Sequence, residues 1–129
     1  AHMFGVWWFE NLTGGDEPKF KAHLIDKSYS QTHAMHFIDM NGDGQRDMVT
    51  GKRFFAHNGK DPGGKEPVVM YWYEIKRNKN AAPEIIPHKI EAGNDTGVGT
   101  QFSMADMNGD GRPDIVLSNK KGVNVLIQE

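Results

Sequence analysis

Apolar and polar positions alternate along this chain in short runs broken by Gly, Pro, Asn and Asp, and no stretch keeps the 3.6-residue period of an amphipathic helix. An aromatic run over residues 4–10 leads through a polar loop to an alternating run over 20–25. A third run, 34–38, ends in an Asp/Gly-rich loop, and a fourth, 48–50, follows it. The series then returns as 68–75, 84–90, 100–105 and 115–117. Turn-rich segments at 58–64 and 93–97 separate the runs. The pattern predicts an all-β chain with about four strands in each half, the content of a propeller blade.

The two halves are a repeat, at an offset that drifts from 64 (Val6 to Met70) to 67 (Asp39 to Asp106). Val6-Trp7-Trp8-Phe9-Glu10 matches Met70-Tyr71-Trp72-Tyr73-Glu74. Ala22-His23-Leu24-Ile25 matches Pro87-His88-Lys89-Ile90, and His36-Phe37-Ile38-Asp39 matches Ser103-Met104-Ala105-Asp106. The drift places insertions in the loops. The expected organisation is one structural domain of two repeats, 4–67 and 68–129, with residues 1–3 read as a cloning scar.

The strongest chemical signal is Asp39-Met-Asn-Gly-Asp-Gly-Gln-Arg-Asp47, which recurs as Asp106-Met-Asn-Gly-Asp-Gly-Arg-Pro-Asp114. Calcium takes six to eight oxygen ligands, so a calcium loop points carboxylate and amide oxygens inward at alternate positions. Asp39, Asn41, Asp43 and Asp47 are placed to supply side-chain oxygens and Gln45 its backbone carbonyl. Asp106, Asn108, Asp110, Asp114 and the carbonyl of Arg112 repeat the arrangement. Glycines at 42, 44, 109 and 111 let the chain curl through positive φ. Two calcium ions are therefore expected. The bland alternative is an Asx/Gly hairpin turn that binds nothing, but four oxygen-bearing positions matched across two copies exceed what turn chemistry requires.

An EF-hand begins in the same way but needs a bidentate Glu at the twelfth loop position and a helix on each side. Here the twelfth positions are Thr50 and Leu117, and the residues after each loop favour strand. The ion is thus expected in a strand-to-strand turn.

Composition adds bounds. With 129 residues, 37% of them hydrophobic and 25% charged, the chain fits one modest core. The net charge of −2 provides no basic field for nucleic acid. There is no cysteine, which removes disulfide, thiol and zinc-thiolate chemistry. No apolar run approaches the roughly 20 residues of a membrane span. Calcium loops of this charge count commonly operate at extracellular calcium levels, which points to a secreted, periplasmic or cell-surface location.

The Trp-aromatic-Glu strand (Trp8-Phe9-Glu10; Trp72-Tyr73-Glu74), the His-x-Ile strand end (His23-Leu24-Ile25; His88-Lys89-Ile90) and the Asp-x-Asn-Gly-Asp-Gly-x-x-Asp loop together resemble the FG-GAP-like, or VCBS-type, repeats of bacterial secreted proteins, related to the calcium-binding blades of integrin α-subunit propellers. The resemblance covers nearly the whole chain from residue 4. It departs in lacking the Gly-Ala-Pro after each loop, where Thr50-Gly-Lys and Ser118-Asn-Lys stand, and in having two repeats where propellers have six to eight blades. It implies two β-propeller-type blades of about four antiparallel strands each; two blades cannot close a ring, so they are expected as part of a larger propeller, as copies associating into a ring as a homo-oligomer, or as two sheets packed face to face in a small sandwich. It also implies a non-catalytic, calcium-binding adhesion or recognition module for carbohydrate or protein. Two other readings are structural blades of a larger polysaccharide lyase or hydrolase, and a calcium-clipped spacer without a ligand.

Strand alternation puts Trp8 and Trp72 on the packing side and Trp7, Phe9, Tyr71 and Tyr73 on the other, which makes the last four the candidate ligand-binding residues. His33, His36 and His57 flank the first loop, but the second repeat has Thr100 and Ser103 in place of the first two, and no zinc motif accompanies them. His23 and His88 recur in phase and read as structural. Lys52-Arg53 and Lys120-Lys121 form small basic spots read as solvated. No Gly-x-Ser-x-Gly elbow, phosphate loop or paired carboxylate outside the two loops points to catalysis.

Overall fold

Runs of alternating residues flanked by Gly, Pro and Asx turns become nine strands and one 3-10 turn, Ala56–Gly59, in a computed structural model that describes residues 3–91, 93 and 96–129. Residues 1 and 2 of the expected cloning scar, and 94 and 95 of the turn-rich segment 93–97, lie outside the described residues. In the first repeat the strands are β1 (Phe4–Asn11), β2 (Phe20–Ser30), β3 (Thr32–Ile38) and β4 (Asp47–Lys52). The second repeat supplies β5 (Met70–Lys76), β6 (Glu84–Ile90), β7 (Phe102–Ala105) and β8 (Asp114–Asn119), and β9 (Gly122–Leu126) follows. The chain is all-β, and no described helix is long and apolar enough to cross a membrane.

The expected two blades of four strands are not what forms. The strands make three antiparallel sheets, of two (β1-β2), four (β3-β4-β5-β6) and three strands (β7-β8-β9), which close neither a barrel nor a propeller ring. The reason lies in where the pairing crosses the repeat boundary. Each hairpin that carries an Asp/Gly loop pairs onward with the strand that follows it: Met48 lies opposite Tyr73 and Val49 opposite Trp72 in the aromatic strand of the second repeat, while in the third sheet Ile115 lies opposite Leu126 of β9. The four-stranded sheet is therefore half first repeat and half second.

Period-2 alternation gives this central sheet two apolar faces, of which the one carrying Met48 is covered only in part, since Met35 and Phe37 beside it are 51% and 50% exposed. Val6 and Tyr29 of the first sheet pack with Met48 and Tyr73 on one side. On the other, Ala34, Val49 and Met70 pack with Phe102, Ile115 and Leu117 of the third sheet, and Trp72 and Met104 add to that core. The three sheets thus form a stack with a core on either side of the middle layer. At about 25 cal/mol per Å² of apolar surface, two such cores provide the main favourable term for a chain of this size.

A buried polar cluster ties the 53–67 connection to the central sheet. Lys52 is only 1% exposed, and its Nζ donates to Ser30 Oγ at 3.0 Å and to the Gly63 carbonyl at 2.7 Å. The solvated role expected for Lys52 is therefore wrong: β4 is a central strand buried along its whole length, and Lys52 at its end is enclosed by the segment that carries Gly63. Burial holds its ammonium below the usual lysine pKa, opposed by the nearby Glu66.

Candidate functional site

Both Asp/Gly nonapeptides adopt the same hydrogen-bonded loop. Asp39 Oδ1 accepts the Gly42 and Asp43 amides at 2.7 and 3.1 Å, and Oδ2 accepts that of Gly44 at 2.7 Å. Asp106 takes the amides of Gly109, Asp110 and Gly111 at 2.6, 3.1 and 2.8 Å. The turn requires φ of +77° and +82° at Gly42 and Gly44, and +80° and +85° at Gly109 and Gly111, a region a Cβ resists. The Gly44 amide, with those of Gly42 and Asp43, holds the Asp39 carboxyl below the usual carboxylate range, against a smaller opposing effect of desolvation.

The last carboxylate of each loop sits differently. Asp47 and Asp114 are both 0% exposed. Asp47 accepts the Met40 amide at 3.1 Å and the Ile75 amide at 3.0 Å, and Asp114 accepts those of Met107 at 2.7 Å and Gln128 at 2.9 Å. Each thus closes its own loop and fastens it to the neighbouring segment, Ile75 within β5 and Gln128 just beyond β9. Among the described ion pairs, neither carboxylate has a Lys, Arg or His partner. Burying a carboxylate on neutral donors alone costs several kcal/mol unless a cation compensates it.

The middle of the loops is exposed and differs between copies. Asp43 Oδ1 accepts the Gln45 amide at 2.7 Å, and Asn41 Oδ1 the Asp43 amide at 3.1 Å. The same bonds join Asp110 to Arg112 and Asn108 to Asp110. In the second loop, however, Arg112 Nη2 also lies 2.6 Å from Asp110 Oδ2. The Arg112 amide and the Asn108 side chain, helped by the Arg112 guanidinium, hold the Asp110 carboxyl low. Gln45 stands in the equivalent place of the first loop and accepts the Arg77 amide instead, at 3.2 Å.

Each donor set is all oxygen, carboxylate, amide and backbone carbonyl, which fits a hard cation such as calcium and not a soft one. The two loops border one cleft of about 510 Å³, with Asp39 on one wall and Asp106 on the other. Gln128, which the sequence reading did not single out, joins them: its amide bonds Asp114, and its Nε2 donates to the Met40 carbonyl at 2.8 Å.

The aromatic candidates split. Trp7 and Phe9 are 50% and 60% exposed. Tyr73 is 0% exposed and Tyr71 half-buried, stacked between Tyr29 and Tyr73 with centroids 5.5 and 5.8 Å apart, so both pack against the first sheet. The first sheet covers the Tyr71–Tyr73 part of that face and leaves Met35 and Phe37 exposed, where Trp7 and Phe9 join them in lining an open cleft. His36 Nε2 lies 2.6 Å from the Phe102 carbonyl and His57 Nδ1 lies 2.8 Å from Asp61, so these two histidines have different partners. Compared with known proteins, the chain matches no protein-family model, no curated protein sequence and no solved structure.

Proposed function

We propose that this chain is a calcium-stabilised, non-catalytic binding module of a secreted bacterial protein, recognising carbohydrate or protein. The observation that carries the calcium reading is the pair of fully buried carboxylates, Asp47 and Asp114, each without a described cationic side-chain partner and each at the inner end of an all-oxygen loop. One divalent cation per loop would supply the missing positive charge, and two would move the net charge from −2 to +2. Asp39, Asn41, Asp43, Asp47 and the Gln45 carbonyl would hold the first. Asp106, Asn108, Asp110, Asp114 and the Arg112 carbonyl would hold the second. What calcium supplies is charge and cross-linking of the loops to the sheets, so its loss lowers stability and leaves no chemistry to abolish.

The binding role is supported by the open aromatic face of the first sheet, where Trp7 and Phe9 stand exposed. Secretion follows from the calcium levels such loops work at, roughly 10⁻⁴ to 10⁻³ M in extracellular modules. The test is calorimetric titration of the chelated protein with calcium, followed by a glycan array in calcium and in EDTA. Two bound ions and EDTA-sensitive glycan binding support the reading; absence of calcium binding overturns it.

A further inference from the structure

The sheets stack by one rule. The side of the first sheet that carries Val6 packs on the Tyr73 side of the second, and the opposite side of the second, which carries Val49, packs on the Ile115 side of the third. Repeat equivalence makes these the same interface twice: Tyr73 and Leu126 hold corresponding positions in β5 and β9, opposite Met48 and Ile115. Each sheet presents its Tyr73-type side to the layer before it and its Val49-type side to the layer after it.

Applied to the ends of the stack, the rule finds two apolar faces. On the first sheet the Tyr73-type side carries Trp7 opposite Leu24, with Phe9 and Phe20 beside them. These are 50%, 46%, 60% and 60% exposed, and among the described residues no sheet covers them. On the third sheet the Val49-type side carries Val116 opposite Val125, with Val123 opposite Ser118. Val123 and Val125 are 74% and 47% exposed. One end therefore offers large aromatic and aliphatic side chains, and the other a β-branched surface of the kind that Val49 gives to the third sheet.

We infer that the Trp7–Phe9 face of one copy of this chain packs on the Val123–Val125 face of a second copy, continuing the internal stack across a molecular boundary. The occupant is a second copy because the same chain carries both halves of the interface that already recurs within it. The contact is heterologous, head to tail, so an open assembly keeps one unused face of each kind, at opposite ends, until a ring closes. Apolar patches of this type, continuous with internal packing surfaces, mark association sites. This deepens the binding-module reading by naming the protein partner of its aromatic face, and it depends on that face and not on calcium.

The test uses the full chain in calcium. Sedimentation velocity over a concentration series is expected to show reversible association. Phe9→Lys and Val125→Lys each place a charge on an exposed position, and each is expected to weaken self-association at least tenfold while circular dichroism and melting stay near those of the parent. Mixed in equal amounts, the two variants form a one-to-one dimer, because each retains one intact face, and they stop there. A parent chain that is monomeric up to about 1 mM overturns the proposal, as do variants that associate like the parent. A mixture that stays monomeric rules out the head-to-tail geometry. A monomer whose Trp7–Phe9 face binds glycans overturns self-association while leaving the binding-module reading intact; failure of calcium titration alone overturns that reading without touching the sedimentation result.

Discussion

Arg112 closes on Asp110, Nη2 to Oδ2 at 2.6 Å, whereas Gln45 occupies the equivalent position of the first loop and makes no such pair. A cation entering the second loop competes with this guanidinium for a carboxylate oxygen. Half-exposed ion pairs of this type are worth about 0.2 to 1 kcal/mol, so the first loop is expected to bind calcium about 1.4- to fivefold more tightly. Arg112→Gln should bring the two affinities together, measured by calorimetry with each loop disabled in turn. Equal affinities in the parent chain would show that Arg112 swings away at no cost.

Asp43 and Asp47 separate the cation role from the structural one. Asp43 is exposed and bonds only within its own loop, so Asp43→Ala should remove one calcium equivalent and leave the melting temperature in EDTA nearly unchanged. In calcium the same variant forgoes about 2.7 kcal/mol at a hundredfold excess of ion over Kd. Asp47→Ala leaves the Met40 and Ile75 amides without their acceptor, at about 1 to 3 kcal/mol each, and should lower the melting temperature with or without calcium. If both variants behave alike in EDTA, the distinction drawn between the rim and the base of the loop fails.

The strands were legible because period-2 alternation is a local property. β6 matches its expected bounds, 84–90, and the Asp/Gly loops lie between strands as their flanking residues predicted. What the sequence did not reveal is which strands share a sheet, since pairing β4 with β5 across the repeat boundary depends on contacts distant in the chain. That one choice explains the misplaced residues. Alternation alone places Tyr73 and its counterpart Phe9 alike, on the side opposite Trp72 and Trp8, and only the first sheet lying over β5 distinguishes them. Lys52 looked solvated because charge is the default signal of a surface, while its partners Ser30 and Gly63 come from other segments. The in-phase pairs His23 with Trp8 and His88 with Trp72 did stack as structural units, at 4.5 and 4.1 Å.

Those stacked units carry a pH signature. His88 Nε2 lies 3.1 Å from Glu74 Oε2, and this contact, with Lys76 at 3.3 Å, holds the Glu74 carboxyl below the ordinary glutamate range. A carboxylate with a depressed native pKa stabilises the fold fully above its unfolded value, about 4.3, and loses that contribution as pH falls through the lower native value. Melting temperature should therefore decline on the acid side of about pH 4.5. Glu74→Gln should flatten that limb and lower stability at neutral pH. An acid limb unchanged by the substitution would assign it to other carboxylates.

The buried tyrosine pair sets the alkaline limit by the opposite sign. The Tyr73 hydroxyl donates to Asp26 Oδ2 at 2.8 Å and lies 3.1 Å from the Tyr29 hydroxyl, between the first two sheets. Burial pushes Tyr29 up to about 12, and burial with the hydrogen bond to Tyr29 pushes Tyr73 up as well. A raised native pKa means that the contribution to stability is complete below the unfolded value, about 10, and is lost as pH rises through the native one. For Tyr29 that contribution is about 2 to 3 kcal/mol. In a phenolate absorbance titration the two buried residues should resist ionisation through about pH 11 and then ionise together, in step with loss of the circular dichroism of the sheets. Tyr73→Phe removes the hydroxyl that links Asp26 to Tyr29, so stability should fall by about 1 to 2 kcal/mol. Early, non-cooperative ionisation of all the tyrosines would mean that the first sheet opens readily from the second, and with it that the Val6–Tyr73 core is not the barrier to alkaline unfolding.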